Sequence, residues 1–412
     1  MRSASQLGRL GAVLVLGLAA CEVLIMISPF AGFFYGGVRF EPFLGFLSES
    51  RASAWLNGFF LNHSVVTTSS LLEWQRTIGE YLFALGLWGF LISALQLYGK
   101  KALGRGVAHG LLYRFSRHPQ YLSLGIAGLG LLTIWPRFLL LVLFVTMLFL
   151  YAGLARFEEW RMVERYGEAY RTYARGRGSF LPGSPAHRLF EATFGRLRPG
   201  ALGWVAAYAT CLAAALLVAS GLRGYVRSHT VVVDWPAEQA VVVSAWPQSE
   251  EWVSRTFKLA VSDEDVRKEL RQSGDGPLVA TILPPHYVMK GMYYKMPPDV
   301  AAGPADDGGA MAALTRIGQL AVAFLVPIEG VTQPDHFMGV DPGSTEEPVE
   351  VVFSRPEKPY AEGISVEEAL DTSVRLTPLV IVDVDPKSGE VVDIRVPLRQ
   401  NRWGPQVVMP IF

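Results

Sequence analysis

Charge is scarce in this chain. Only 18% of the residues are charged, and the 37 basic side chains cancel the 37 acidic ones. Such a balance creates no bulk field to draw in nucleic acid, so no nucleic-acid partner is expected. Cysteine is scarcer still. Cys21 and Cys211 are the only two, and both sit inside apolar stretches. That excludes a disulfide framework and a thiolate metal site. His286 and His336 stand alone, without a ligand-spaced cluster, and read as packing or surface residues; no metal is expected. No nucleotide-binding loop and no internal repeat is found.

What the chain has instead is apolar length. Half of its 412 residues are hydrophobic, and they gather in runs at 10–36, 80–98, 119–134, 138–155 and 201–221. A helix crosses a bilayer with about 20 apolar residues. The runs therefore predict an α-helical integral membrane protein with about five transmembrane helices. The first run is long, ends in Phe33, Phe34 and Tyr35, and lacks a clean small-residue cleavage site, so it reads as a retained span. Only Trp135, Pro136 and Arg137 separate the third run from the fourth. That spacing predicts a tight helical hairpin, broken by the proline. Glu22 lies near the middle of the first span, where an ionisable group is costly. It is either a functional residue or a neutral group bonded to another helix.

The loops set the expected orientation. Lys100, Lys101, Arg105, Arg114 and Arg117 crowd the loop 99–117 without an acid, and Arg2 and Arg9 flank the first span. The stretch 156–200 is also rich in arginine, whereas arginines and glutamates balance in the loop 37–79. Lys and Arg accumulate in cytoplasmic loops. The N-terminus is therefore expected in the cytoplasm and residues 222–412 outside it, in a bacterial inner (cytoplasmic) membrane. Arg223 and Arg227 weigh weakly against this.

From Gly221 the texture changes to short β-branched runs separated by Pro, Gly and Asp, the pattern of a mainly-β extracytoplasmic domain. Asp385-Pro386-Lys387-Ser388-Gly389 reads as a hairpin turn. Residues 309–324 are compatible with one amphipathic helix, and 297–309 with a loop. The division is thus a membrane domain at 1–200, a fifth transmembrane helix at 201–221 and the outer domain at 222–412.

The chemistry concentrates in one segment. Ser116-Arg117-His118-Pro119-Gln120-Tyr121 stands at a helix start, since Pro119 suits the first helical turn. Arg117 and His118 are thereby held beside the positive end of that helix, a good place for an anion. Gly125, Gly128 and Gly130 follow and allow close approach of a helix or a flat ligand. The next helix ends in Arg156-Phe157-Glu158-Glu159, which the hairpin returns to the side of His118. Carboxylates there favour a sulfonium or an ammonium group. Tyr121, Tyr166, Tyr170 and Tyr173 offer faces to a cation or a purine. Each piece also has a plain reading: an interfacial histidine, solvated helix charges, an aromatic belt, helix packing.

Taken in order, Arg-His-Pro-x-Tyr, a hairpin, Glu-Glu and Gly-x-x-Tyr-x-x-Tyr resemble the isoprenylcysteine carboxyl methyltransferase and phospholipid methyltransferase superfamily over about 116–182. The resemblance implies a methyltransferase that uses S-adenosylmethionine on a membrane lipid or lipophilic small-molecule acceptor. It implies that Arg117, His118, Pro119, Tyr121, Gly128, Gly130, Tyr166 and Tyr170 bind the cofactor. Glu158 and Glu159 would hold the cofactor or acceptor, and Arg156 or Arg161 would lie near the acceptor's polar group. Met162 departs from the usual Leu, and Gly176–Pro182 is looser than the family's ending. The rival expectation is a degenerate fold that anchors or assembles with an envelope protein through 222–412.

Overall fold

A computed structural model describes residues 51–62, 65–102, 110–197, 200–284, 348–356, 363–370, 374, 376–397, 400–401 and 404–405. The span expected at 10–36, Glu22, His286, His336 and the segments 297–309 and 309–324 lie outside the described residues.

Four apolar helices stand where the sequence places runs two to five. They are α1 (Gln75–Ala102), α2 (Pro119–Ile134), α3 (Phe138–Tyr166) and α6 (Gly200–Ser228); two short helices, α4 (Glu168–Ala174) and α5 (Pro185–Thr193), lie between α3 and α6. Ser70–Lys100, α3 and α6 are long and apolar enough to cross a membrane. By its length and composition this is an integral membrane protein. With 16 residues, α2 is shorter: it extends about 24 Å, against about 30 Å of bilayer hydrocarbon. It starts with Pro119 at its first position and stops at Trp135, which leaves helical geometry in front of Pro136.

The α1–α2 pair meets backbone to backbone. A Cβ on Gly86 would lie 2.3 Å from the Ala127 nitrogen, and one on Gly130 would lie 2.3 Å from the Phe83 nitrogen. Apolar packing gains little between helices in lipid, so small residues that admit close approach hold them together. On the other side, α6 leans on α3 through Phe149, whose ring meets Trp204 and Tyr208 edge-on. A hydrogen bond of 2.9 Å joins the Thr146 and Tyr208 hydroxyls.

Several segments converge at one end of these helices. The Phe60 N–H donates to the Pro136 carbonyl at 2.8 Å, and the Phe138 N–H to the Gly58 carbonyl at 3.0 Å. The Val66 N–H donates to the Ala245 carbonyl, the Thr68 N–H to the His229 carbonyl, and Ser69 shares a hydrogen bond with Tyr225. The approach to α1, the α2–α3 turn, the end of α6 and the C-terminal domain thus share this domain end. Arg117, His118, Glu158 and Glu159 lie at the opposite, site end.

The C-terminal domain is a six-stranded sheet in the order β1 (Val232–Trp235), β2 (Ala240–Ser244), β3 (Leu278–Leu283), β4 (Val349–Pro356), β5 (Leu376–Asp385) and β6 (Glu390–Arg395). All pairs are antiparallel except β2–β3. A parallel pair needs a crossover, and here it consists of α7 (Glu250–Ser262) and α8 (Glu264–Gln272). The six-stranded sheet dominates the described residues of the domain, and these two helices add to it a crossover not expected from the sequence. Ser249 caps α7 and Asp263 caps α8 through side-chain oxygens. Val253, Phe257 and Ala260 recur at helical spacing and are fully buried on the sheet. The turn at 385–389 is a hairpin turn, with Gly389 at φ +74°.

Gly130→Leu places a branched side chain where the Phe83 backbone stands, while a Cβ on Gly153 meets nothing within 4 Å. Overpacking of this kind costs about 1–3 kcal/mol or more. Gly130→Leu is therefore expected to lower the melting temperature in detergent by several degrees and Gly153→Leu to leave it unchanged, as read by thermal denaturation. Equal melting of the two variants would contradict the packing described.

Candidate functional site

The site begins with a short strand-like clasp. Ser116 and Gly178 form a parallel bridge. The Arg117 N–H donates to the Gly178 carbonyl and the His118 N–H to the Ser179 carbonyl, each at 3.0 Å. The Ser116 hydroxyl also donates to the Ser179 carbonyl, at 2.9 Å. This clasp fixes the start of α2 against the chain that follows α4, with His118 immediately before the first turn.

His118 is buried, with 5% of its surface exposed. Its Nδ1 lies 3.3 Å from Glu158 Oε2 and its Nε2 lies 3.1 Å from Glu159 Oε1. Only an imidazolium carries a proton on both ring nitrogens. Burial by itself would lower the His118 pKa, but the hydrogen bonds and charges of Glu158 and Glu159 outweigh it and hold it above the ordinary value. Arg117 Nη1 pairs with Glu159 Oε2 at 3.0 Å, and Arg117 Nη2 donates to Ser179 Oγ at 2.7 Å. The Ser179 hydroxyl donates a hydrogen bond to Glu159 Oε1 at 2.9 Å. The Tyr121 hydroxyl donates to Glu158 Oε1 at 2.7 Å. Two cations and two carboxylates thereby cancel within one cluster.

Aromatic rings wall the cluster. His118 stacks on Tyr121, Tyr121 stacks on Tyr151 with centroids 5.2 Å apart, and Phe180 tilts against His118. Burial and then the Glu159 charge push the Tyr170 hydroxyl up to about 12. It stays protonated and is a donor rather than a base. The Tyr173 hydroxyl donates to the Tyr113 carbonyl and ties α4 to the approach to α2.

Arg117, His118, Tyr121, Glu158 and Glu159 meet directly, with Tyr170 beside them. Pro119 is buried and starts the helix. Other expected residues are placed elsewhere. The Arg156 guanidinium lies over the Trp204 ring at 5.3 Å, facing α6 rather than the carboxylates. Gly128 faces Phe144 and Met147 of α3, and Gly130 faces α1, so both are occupied by helix packing. Tyr166 is exposed at the end of α3, with Arg165 over its ring. Ser116, Ser179, Tyr151 and Phe180 join the site without having been singled out for it. Ser116 stood at the head of the Ser116–Tyr121 motif, and Ser179 and Phe180 in the segment that closes it; Tyr151 left no trace.

Two features leave the cluster open to a ligand. The Glu158 side chain is 44% exposed although His118 and Tyr121 hold it, and Arg117 Nε is buried without a hydrogen-bond partner. A carboxylate open to a cation thus stands beside a guanidinium donor open to an anion. An amino-acid zwitterion has both complements. The donor set therefore fits the amino-acid end of S-adenosylmethionine.

The raised His118 pKa has a defined sign. A group raised in the folded state contributes stability that is fully present below its unfolded pKa of about 6.5 and is lost as the pH rises through the folded value. Wild-type thermal stability is expected to fall across that alkaline window, and His118→Gln is expected to remove the slope. Melting curves recorded from roughly pH 6 to roughly pH 9 check this, and parallel curves would contradict it.

Among families, the Phospholipid methyltransferase model matches residues 74–169. The match takes in α1, α2 and α3 and every charged member of the cluster; Tyr170, Ser179 and Phe180 follow it. No curated protein and no solved structure gives a significant match. Family model, hairpin and clustered charges agree on one segment: residues 74–169 are similar to the phospholipid methyltransferase family, and the match covers about a quarter of the chain.

Proposed function

We propose that the protein is an S-adenosylmethionine-dependent methyltransferase of the bacterial inner membrane, acting on a lipophilic or membrane-associated acceptor. One observation carries the reading: within the family-matched segment, Glu158 remains partly exposed beside the unpartnered Arg117 Nε. When bound, S-adenosylmethionine supplies a methyl whose C–S bond breaks as a bond to an acceptor N, O or S forms, the electron pair staying on sulfur. The chain's own residues do the rest. Arg117 Nε orients the amino-acid carboxylate, and Glu158 attracts the ammonium and sulfonium charges. Tyr121, Tyr151 and Phe180 exclude water from the reacting atoms. An amine or thiol acceptor gives its proton to Glu158, the more exposed of the two carboxylates; a carboxylate acceptor has none to give. Holding both reactants in line supplies most of the rate, because no covalent enzyme intermediate is needed.

The opposition of site end and domain end favours a cytoplasmic site and an extracytoplasmic C-terminal domain, in line with the basic loops beside Arg117. The acceptor would enter sideways from the bilayer.

A second reading keeps the fold without the reaction. The carboxylates are already held by Arg117, His118, Tyr121 and Ser179, and the C-terminal domain shares a core with Val65 and Leu72 at the approach to α1. Such a chain would serve an envelope assembly through 222–412. Methyl transfer separates the two. Incubated with labelled S-adenosylmethionine and a whole-membrane lipid extract, the full-length protein is expected to label a lipid or lipophilic product. Glu158→Gln and His118→Ala are expected to lower the rate about a hundredfold or more. No label from a folded wild type, with partner binding unchanged in Glu158→Gln, would overturn the enzyme reading in favour of the second.

A further inference from the structure

Arg137 takes no part in the reaction proposed above. It lies at the domain end, in the turn between α2 and α3, roughly 32 Å along α3 from Glu158 at the usual helical rise. It is 8% exposed, so the side chain is withdrawn from water. Its guanidinium sits 4.7 Å from the centroid of the Phe59 ring and 5.5 Å from that of Trp135. Its Nε is buried without a hydrogen-bond partner, and among the described residues no acid pairs with it. A desolvated cation without a counter-ion is costly. Two aromatic faces offset part of that cost and hold the planar group in place, but they leave its donors open.

The start of α3 adds a second, independent feature. The Arg137 N–H is taken by the Trp135 carbonyl, the Phe138 N–H by the Gly58 carbonyl, and the Leu141 N–H by the Arg137 carbonyl. Leu139 and Leu140 fall between them, in the first turn, where an α-helix supplies no internal acceptor. No side chain caps this helix start. A 29-residue helix therefore begins, with the positive end of its dipole, beside the residue whose buried guanidinium meets no acid among the described residues.

We propose that Arg137 and the first turn of α3 form an anion site that takes the phosphodiester of a membrane phospholipid. Three considerations select a lipid phosphate over a soluble anion. The site lies at the end of apolar helices of membrane-crossing length, where headgroups lie. Trp135 flanks it, as tryptophans flank the interface. Farther along the same two helices Leu129 and Leu148 are exposed and suit acyl chains. The bound lipid would be a structural ligand at the membrane face opposite the methyl-transfer site, seated against the Phe59–Arg137 bridge that joins the approach to α1 with the hairpin turn.

The test uses the full-length protein in a neutral detergent, with native mass spectrometry as the readout. The probes are dioleoyl phosphatidylglycerol, dioleoylglycerol, which has the same chains without the phosphate, and inorganic phosphate. Wild type is expected to retain one phosphatidylglycerol, to ignore dioleoylglycerol, and to lose the lipid to inorganic phosphate only at high concentration. Arg137→Gln is expected to weaken retention roughly tenfold or more, the usual scale for a charge-assisted hydrogen bond. Arg137→Lys keeps the charge but not the planar fork and is expected to fall between the two; it decides the matter if Arg137→Gln does not fold. Equal retention by wild type and Arg137→Lys would overturn the proposal. So would equal binding of dioleoylglycerol, or binding of inorganic phosphate without the lipid.

Discussion

The buried imidazole of His118 between two carboxylates is the constraint on which the site end of this molecule depends. Glu158 and Glu159 follow each other in sequence at the end of a long apolar helix. Their repulsion and desolvation would disfavour that position without a cation between them. His118 supplies the cation only because Pro119 starts α2 and because the clasp to Gly178 and Ser179 holds the preceding backbone. Arg117 and Ser179 then complete a circuit around Glu159, while Tyr121 takes one oxygen of Glu158. Removing one member leaves a buried charge uncompensated, which is costlier than never having built the pair.

This arrangement links the hairpin's mechanics to its chemistry. The α2–α3 turn at the domain end sets how α3 runs back along α2, and so where Glu158 and Glu159 arrive. That turn is pinned by Gly58 and Phe60, and farther along the same approach to α1 the Val66 and Thr68 N–H groups donate to the Ala245 and His229 carbonyls. The close approach of α1 and α2 at Gly86 and Gly130 fixes the remaining side. The domain and the site, although at opposite ends, thereby share one mechanical frame.

Much of this was legible in the sequence because the signals were local. Pro119 and Pro136 mark the ends of α2, and a hairpin with a three-residue break has only one way to return. That logic was enough to bring His118 and the two glutamates together. Less legible were features that depend on rotation about a helix axis or on distant partners. Arg156 lies only two residues before Glu158, yet it turns to Trp204 on α6. Gly128 and Gly130 admit either a ligand or a helix, and only the position of α1 and α3 decides for packing. Ser179 reaches the site through backbone pairing across 63 residues from Ser116, which no local pattern announces. Helices α7 and α8 were different: the caps Ser249 and Asp263 and the spacing of Val253, Phe257 and Ala260 were present, but β-branched runs on both sides outweighed them.

Under the proposed function, this charge cluster receives the amino-acid end of S-adenosylmethionine. Calorimetric titration of S-adenosylhomocysteine into the purified full-length protein tests it most directly. Saturable one-to-one binding is expected, weakened about tenfold or more by Arg117→Gln and by Glu158→Gln and unchanged by Gly153→Leu. Absence of binding to a folded wild type, or binding indifferent to both cluster substitutions, would contradict the claim.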